Sequence, residues 1–179
     1  MAIMNEQKFW DLIQSGTGAP RTETQMELIY NALSQLPTPE LVAFHHIFLE
    51  QMNRSYTWDL WAAAYVIHGD CSDDGFIDFR AWLIMQGKDV FEKSLAGSDS
   101  LAEIPKEKLL ESLDWEEFSY LAAEVYEERT DMDIEDDELS RPIDFREDPS
   151  GLEWEEDDLN ALKDRNPKLF ELFRTEWEA

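Results

Sequence analysis

The sequence predicts an all-α single domain, and three observations carry that prediction. Apolar residues recur at three- and four-residue spacing along most of the chain. Only seven Gly and seven Pro occur in 179 residues, which counts against a turn-dense sandwich or barrel. Seven Trp, ten Phe and five Tyr make the chain too aromatic to be disordered as a whole. A compact fold of this length buries roughly 70% of its unfolded surface, so the core needs no disulfide or metal. The expected architecture is about eight or nine short, orthogonally packed helices. Residues 1–130 would form the helical body, and residues 131–179 an acidic loop and a final helix docked on it.

In chain order, Thr22-Glu-Thr-Gln25 reads as a capping box ahead of Met26, Ile29, Leu33 and Leu36, and Pro37 stops that helix. Thr38-Pro39 sets an N-cap before a proline at the first helical position, where its missing N–H costs nothing. Leu41, Phe44, Ile47, Phe48 and Met52 then form one buried stripe. Thr57 caps a helix carrying Trp58, Trp61, Ala64, Tyr65 and Ile67, and Gly69 closes it. Residues 69–75, GDCSDDG, read as a polar loop into a helix over 76–86 with Phe79, Trp82, Leu83 and Met85 inward. Gly87 and Gly97 stand where left-handed C′ glycines belong, with Val90, Phe91 and Leu95 on a short helix between them. Pro105 opens a helix through Leu109, Leu110 and Leu113. Asp114-Trp-Glu-Glu117 starts a longer one that buries Trp115, Phe118, Leu121, Ala122 and Val125.

Beyond Thr130 the periodicity breaks. Residues 131–158 hold fourteen acidic and two basic side chains, interrupted by Pro142, Pro149 and Gly151. Like charges about 6 Å apart in water repel by roughly 0.7 kcal/mol per pair, so a solvated loop is expected, touching the body through Ile143, Phe145 and Trp154. Asn166-Pro167 caps a final helix with Leu169, Phe170, Leu172, Phe173 and Trp177. No internal repeat is visible.

The charge narrows the function classes. Forty-one acidic residues against fifteen basic ones give a formal net charge of -26, which repels phosphate backbones and anionic lipids. Direct nucleic-acid and membrane binding are therefore not expected. One cysteine excludes an internal disulfide framework. No apolar run approaches the roughly 20 residues of a membrane span, and the start, MAIMNEQKFW, lacks the basic and apolar stretches of a secretion signal. A soluble, cytoplasmic protein is the expectation.

The sharpest local feature runs from Asp70 to Ala81. Aligned on Gly75, Asp70, Ser72, Asp74 and Asp78 fall at the first, third, fifth and ninth ligand positions of an EF-hand loop. The twelfth position, which should supply two carboxylate oxygens, is Ala81, so any calcium binding would be weak. The alternative is a helix start in which Ser72, Asp73 and Asp74 cap exposed N–H groups and complement the dipole. Cys71 shares this turn, where carboxylates disfavour a thiolate. A catalytic set of His68, Cys71 and Asp73 is the sharper reading and a structural cysteine the plainer one. His45-His46 cannot both reach one metal from a regular helix; one should face the core and hydrogen-bond while the other is exposed. There is no phosphate loop, G-x-S-x-G, H-E-x-x-H or C-x-x-C, and no cofactor is implied. The aromatic group Trp58, Trp61, Tyr65, Phe76, Phe79 and Trp82 has core spacing, although an indole near Asp59 would suit a guanidinium partner.

The stretch WDLWAAAYVIHGDCSDDGFIDFRAWLIMQGKDVFE (58–92), with FWDLI (9–13) before it and DWEEFSYLAAEVYEE (114–128) after it, resembles an uncharacterised bacterial family, domain-of-unknown-function family 4240. The resemblance covers roughly residues 5–130 and implies a small, soluble bacterial protein with no assigned activity. It marks Trp58, Asp59, Trp61, Cys71 to Phe76, Arg80 and Trp82 as a shared signature. Arg80 is a lone cation there, with Asp59, Asp73 or Asp74 as candidate partners for a bidentate pair; a helix-to-helix clamp that holds the loop is the plainer reading and a clamp on a substrate anion the functional one.

The leading expectation is non-catalytic: an acidic module that docks on a basic protein surface, as an immunity protein docks on a toxin, with opposed potentials steering the encounter. Asp136, Asp137, Glu138, Phe145, Trp154, Glu155 and Glu156 are the candidate contact residues. The alternative is an enzyme or small-ligand module built on Trp58, Asp59, Cys71, Asp73, Asp74 and Arg80. Weak calcium binding at Asp70, Ser72, Asp74 and Asp78 is the third.

Overall fold

The computed structural model describes residues 4–17, 22–113, 115–155 and 158–177. Within them the protein is an all-α single domain with ten α-helices. These are α1 (Glu6–Gly16), α2 (Thr22–Leu33), α3 (Thr38–Arg54), α4 (Trp58–His68) and α5 (Asp73–Met85). They continue with α6 (Lys88–Ala96), α7 (Lys106–Leu110), α8 (Glu116–Thr130), α9 (Leu159–Arg165) and α10 (Pro167–Trp177). Short 3-10 turns occupy Ser98–Glu103 and Ile134–Asp136.

Helix α5 organises the core. Phe79, Ala81, Leu83, Ile84 and Met85 are fully buried, because α1, α3, α4, α6 and α8 all pack against this helix. A helix covered on several sides needs apolar residues around most of its circumference, which is what DFRAWLIM supplies. Helix α4 solves the same problem with three consecutive buried alanines, Ala62 to Ala64, whose small side chains let neighbours approach closely. Helix α1 begins at Asn5, whose side chain accepts from Lys8 N at 2.9 Å, and buries Phe9, Trp10 and Ile13. An ion pair from Lys8 to the buried Glu40 ties α1 to α3.

Several sequence expectations shift. Pro37, not Thr38, occupies the N-cap of α3, so the proline at 39 sits inside the first turn. Helix α5 begins at Asp73, three residues before the predicted start, because Ser72 Oγ accepts from Gly75 N at 3.2 Å. Gly69 closes α4 in the left-handed conformation (φ 78°) that glycine takes without a Cβ penalty, whereas Gly97 is extended at φ -176° and needs no glycine-specific conformation. The predicted C-terminal helix is α10, and a further short helix, α9, precedes it. Asn166 is the fully buried C-cap of α9, and α10 takes its capping oxygen from Asp99, which accepts from Lys168 N and Leu169 N at 2.8 and 3.0 Å. Asp114, the Thr22 side chain and Glu156 lie outside the described residues or side chains. Helix α10 packs on α4 and on the 98–103 turn, with Leu169 and Phe173 fully buried.

Candidate functional site

The signature turn is built as a helix-to-helix junction. Thr57 caps α4 through Leu60 N at 3.2 Å, and Ser72 caps α5. Between them Trp61 Nε1 donates to the Cys71 carbonyl at 2.9 Å. Stacked rings run from Trp58 to Trp61 (centroids 5.5 Å apart) and on to Phe76 (4.9 Å). Asp73 to Asp78 are therefore helical, not an open ligating loop, and Ser72 Oγ is already engaged. This geometry overturns the EF-hand reading of Asp70, Ser72, Asp74 and Asp78. Among the described residues no group of three or more His, Cys, Asp and Glu side chains could hold a metal ion.

The candidate ligand set does not converge. Asp59 is exposed and pairs with Arg165, whose Nη2 also donates to the Glu153 carbonyl at 3.2 Å. Trp58 is half-buried under Trp154. Asp73 and Asp74 are exposed in the first turn of α5. Cys71 is buried, and burial, with Asp70, Asp73 and Asp78 nearby, pushes its thiol up to about 12, the wrong direction for a nucleophile. His68 Nε2 lies 2.8 Å from Ser112 Oγ rather than bonding to Cys71. Because that hydroxyl already donates to the Leu109 carbonyl, the imidazole is the donor in the pair. The proposed His68, Cys71 and Asp73 set is not assembled.

Residues 131–155 are laid along α3 and α4 by specific bonds. Ser150 N donates to Tyr56 O at 3.0 Å and Trp58 N to Ser150 O at 2.9 Å. Asn53 holds the segment twice, donating to Asp144 O at 3.1 Å and accepting from Arg146 N at 3.0 Å. Arg141 N donates to His46 Nε2 at 3.0 Å. Ile134 and Trp154 are its buried anchors, with Trp154 Nε1 donating to Trp58 O at 3.0 Å. Trp154 is therefore a core residue, not a partner contact. Asp137 is occupied as well: it accepts from Tyr126 Oη at 2.7 Å and from Leu139 N at 2.8 Å, and both bonds hold its carboxyl below its ordinary value. Asp136, Glu138, Phe145 and Glu155 remain exposed.

Arg80 points to a different place. Its Nε donates to Phe76 O at 3.2 Å and its Nη1 to Met52 O at 2.9 Å, a carbonyl left over in the last turn of α3. The guanidinium lies against two adjacent rings, 4.8 Å from Tyr56 and 4.9 Å from Phe76. Among the described residues no carboxylate pairs with it, so the expected partners Asp59, Asp73 and Asp74 do not receive it. Burial accordingly pulls its pKa down to about 10.

Arg80 lines a cleft of about 520 Å³ between α3, α5, α8 and the 133–146 segment, with Phe48, Met52 and Ile134 on its apolar wall. A second hollow of about 370 Å³ adjoins it and shares His45, Leu49, Glu135 and Phe145. His45 is only 8% exposed, and neither ring nitrogen has a hydrogen-bond partner in the structure; the Ser119 hydroxyl on the same cleft has none either. Burial is the main reason the His45 imidazole drops to about 4, so it stands neutral near pH 7. His46 also falls below its ordinary value, first through burial and then through Arg141. The buried member of the histidine pair is thus the unbonded one, and the half-buried member accepts the bond.

The profile of the family described as "Protein of unknown function (DUF4240)" matches residues 4–128. The chain belongs to this family. No curated protein and no solved structure matches it significantly. The DUF4240 match spans α1 through nearly all of α8 and so includes His45, Met52, Arg80 and Ser119. The opposite wall of the cleft, with Ile134 and Phe145, follows the matched region in sequence.

The cleft was hard to find from sequence because its parts are dispersed. Arg80 carried a signal, a lone cation in an acidic block. The His45-His46 pair signalled one buried histidine without saying which, and Ser119 and Ile134, from two further elements, carried no signal.

Proposed function

We propose that this DUF4240 chain is a small-ligand-binding module and that its site is the cleft between α3, α5, α8 and the 133–146 segment. One observation carries the reading. Arg80 is a largely buried cation without a carboxylate partner among the described residues, on the wall of an apolar cleft that also holds the unbonded His45 and Ser119. Unsatisfied buried polar groups cost about 1–3 kcal/mol each, and a ligand that bonds to them recovers part of that. Ligand sites combine such a small polar set with a mainly apolar lining. Methyl-resolved NMR of the whole chain during a small-fragment screen tests this. Shifts should concentrate on Leu49, Met52, Ile77 and Ile134; shifts scattered over the surface would refute it.

A second reading rests on the outer face of the same segment. Asp136, Glu138 and Glu155 are exposed there, alongside the exposed apolar side chains Leu139 and Leu152. Docking on a basic protein, as an immunity-type inhibitor does, would use that combination of charge and apolar contact. Association should then weaken steeply between low and physiological salt. Failure to recover any basic protein from the native host at low ionic strength would exclude it.

A further inference from the structure

We infer that the cleft takes an amphiphilic monocarboxylate, its head on the outer edge of the Arg80 guanidinium and its tail along Phe48, Met52 and Ile134. This deepens the proposed ligand-binding function and rests on it. The head-group assignment comes from counting donors. Arg80 has five N–H groups, and two are engaged, by Phe76 O and Met52 O. The Nη edge keeps donors that no described residue accepts from, and the bonds to Phe76 O and Met52 O already fix the guanidinium in direction. A carboxylate matches two such parallel donors with one negative charge. Arg146 also lines the cleft, but its Nη1 donates to Ser150 Oγ and Asp133 and Glu135 offset its charge there, so a phosphate monoester dianion fits worse than a single negative charge. Neutral His45 and the Ser119 hydroxyl supply further uncharged bonding groups.

The tail assignment comes from the mouth. Ile77, Tyr120 and Phe145 are 40, 55 and 51% exposed, and all three line this cleft. Large apolar side chains gathered at one opening mark a surface that something covers. The deeper wall is Phe48, Met52 and Ile134, each buried within the protein. An apolar chain entering past the first group meets the second.

Calorimetric titration of the full chain with decanoate, decanol, decyl phosphate and decyltrimethylammonium, below micelle formation, tests the inference. Decanoate should bind about tenfold to a hundredfold more tightly than decanol, the range of a charge-assisted bidentate contact. Arg80→Met should erase that preference and leave decanol binding unchanged. Ala123→Phe, which fills the cleft without touching Arg80, should weaken all four ligands and show that binding is in the cleft. If decanol or the cation binds as tightly as decanoate, or decyl phosphate binds more tightly, the carboxylate assignment falls while the cleft reading stands. Survival of the decanoate preference in Arg80→Met would also overturn the assignment. If no probe binds, or Ala123→Phe binds as the parent does, the cleft reading falls too.

Discussion

At the scale of single residues, His45 is the most exposed to test. Its folded pKa, about 4, lies below the ordinary 6.5. Between those values the unfolded chain takes up the proton and the folded chain does not, so stability is full above about pH 6.5 and falls as pH drops toward 4. The window corresponds to about 3 kcal/mol. His46 moves in the same direction, first through burial and then through the charge of Arg141. Replacing His45 with Leu should flatten the thermal-melt profile between pH 6.5 and 4. It should also raise stability at pH 7 by about 1–2 kcal/mol, because an unbonded buried polar group is removed. A variant that melts lower than the parent at pH 7 would mean the imidazole is satisfied in solution. The sequence made the burial of one histidine legible, since adjacent helical residues diverge by about 100°. Which one, and that it would lack a partner, depends on how α3 rotates against the following segments.

The helices themselves were readable where their ends carry chemistry. Thr57, Ser72 and Gly69 do in the structure what their side chains or lack of one predict. Ends satisfied from a distance were not readable. Asp99 caps α10 from about seventy residues upstream, and no local pattern announces such a cap. The segment after α8 is the mostly exposed loop that its charge density predicts, touching the body through Trp154; its hydrogen bonds to Asn53, His46 and Tyr56 O, and an anchor at Ile134 where Ile143 and Phe145 were expected, have no local signal. The distinction between its aromatic residues has a direct consequence. Trp154→Ala should destabilise the protein by about 3–5 kcal/mol, as for other large buried aromatics. Phe145→Ser should stay within about 0.5 kcal/mol of the parent in urea unfolding. Equal effects would mean the segment does not anchor as described.

For the whole molecule, the family match and the folded unit have different extents. The match ends at residue 128, but α9 and α10 pack on α4, and Leu162, Leu169 and Phe173 are fully buried. A chain cut after Thr130 would uncover the α4 surface beneath them. It should lose cooperative thermal unfolding, and a truncated chain melting within a few degrees of the parent would contradict this. The large negative charge, the clearest whole-chain property in the sequence, does not locate the cleft. The site instead gathers two of the few basic residues, Arg80 and Arg146, with apolar side chains, a combination that only the tertiary packing brings together. A crystal structure grown with decanoate examines that combination most directly. Its carboxylate should lie within hydrogen-bonding distance of the Arg80 Nη atoms, with the chain running past Met52 toward Ile134. Decanoate elsewhere on the surface, or an Asp or Glu side chain of the protein on that guanidinium edge, would contradict it.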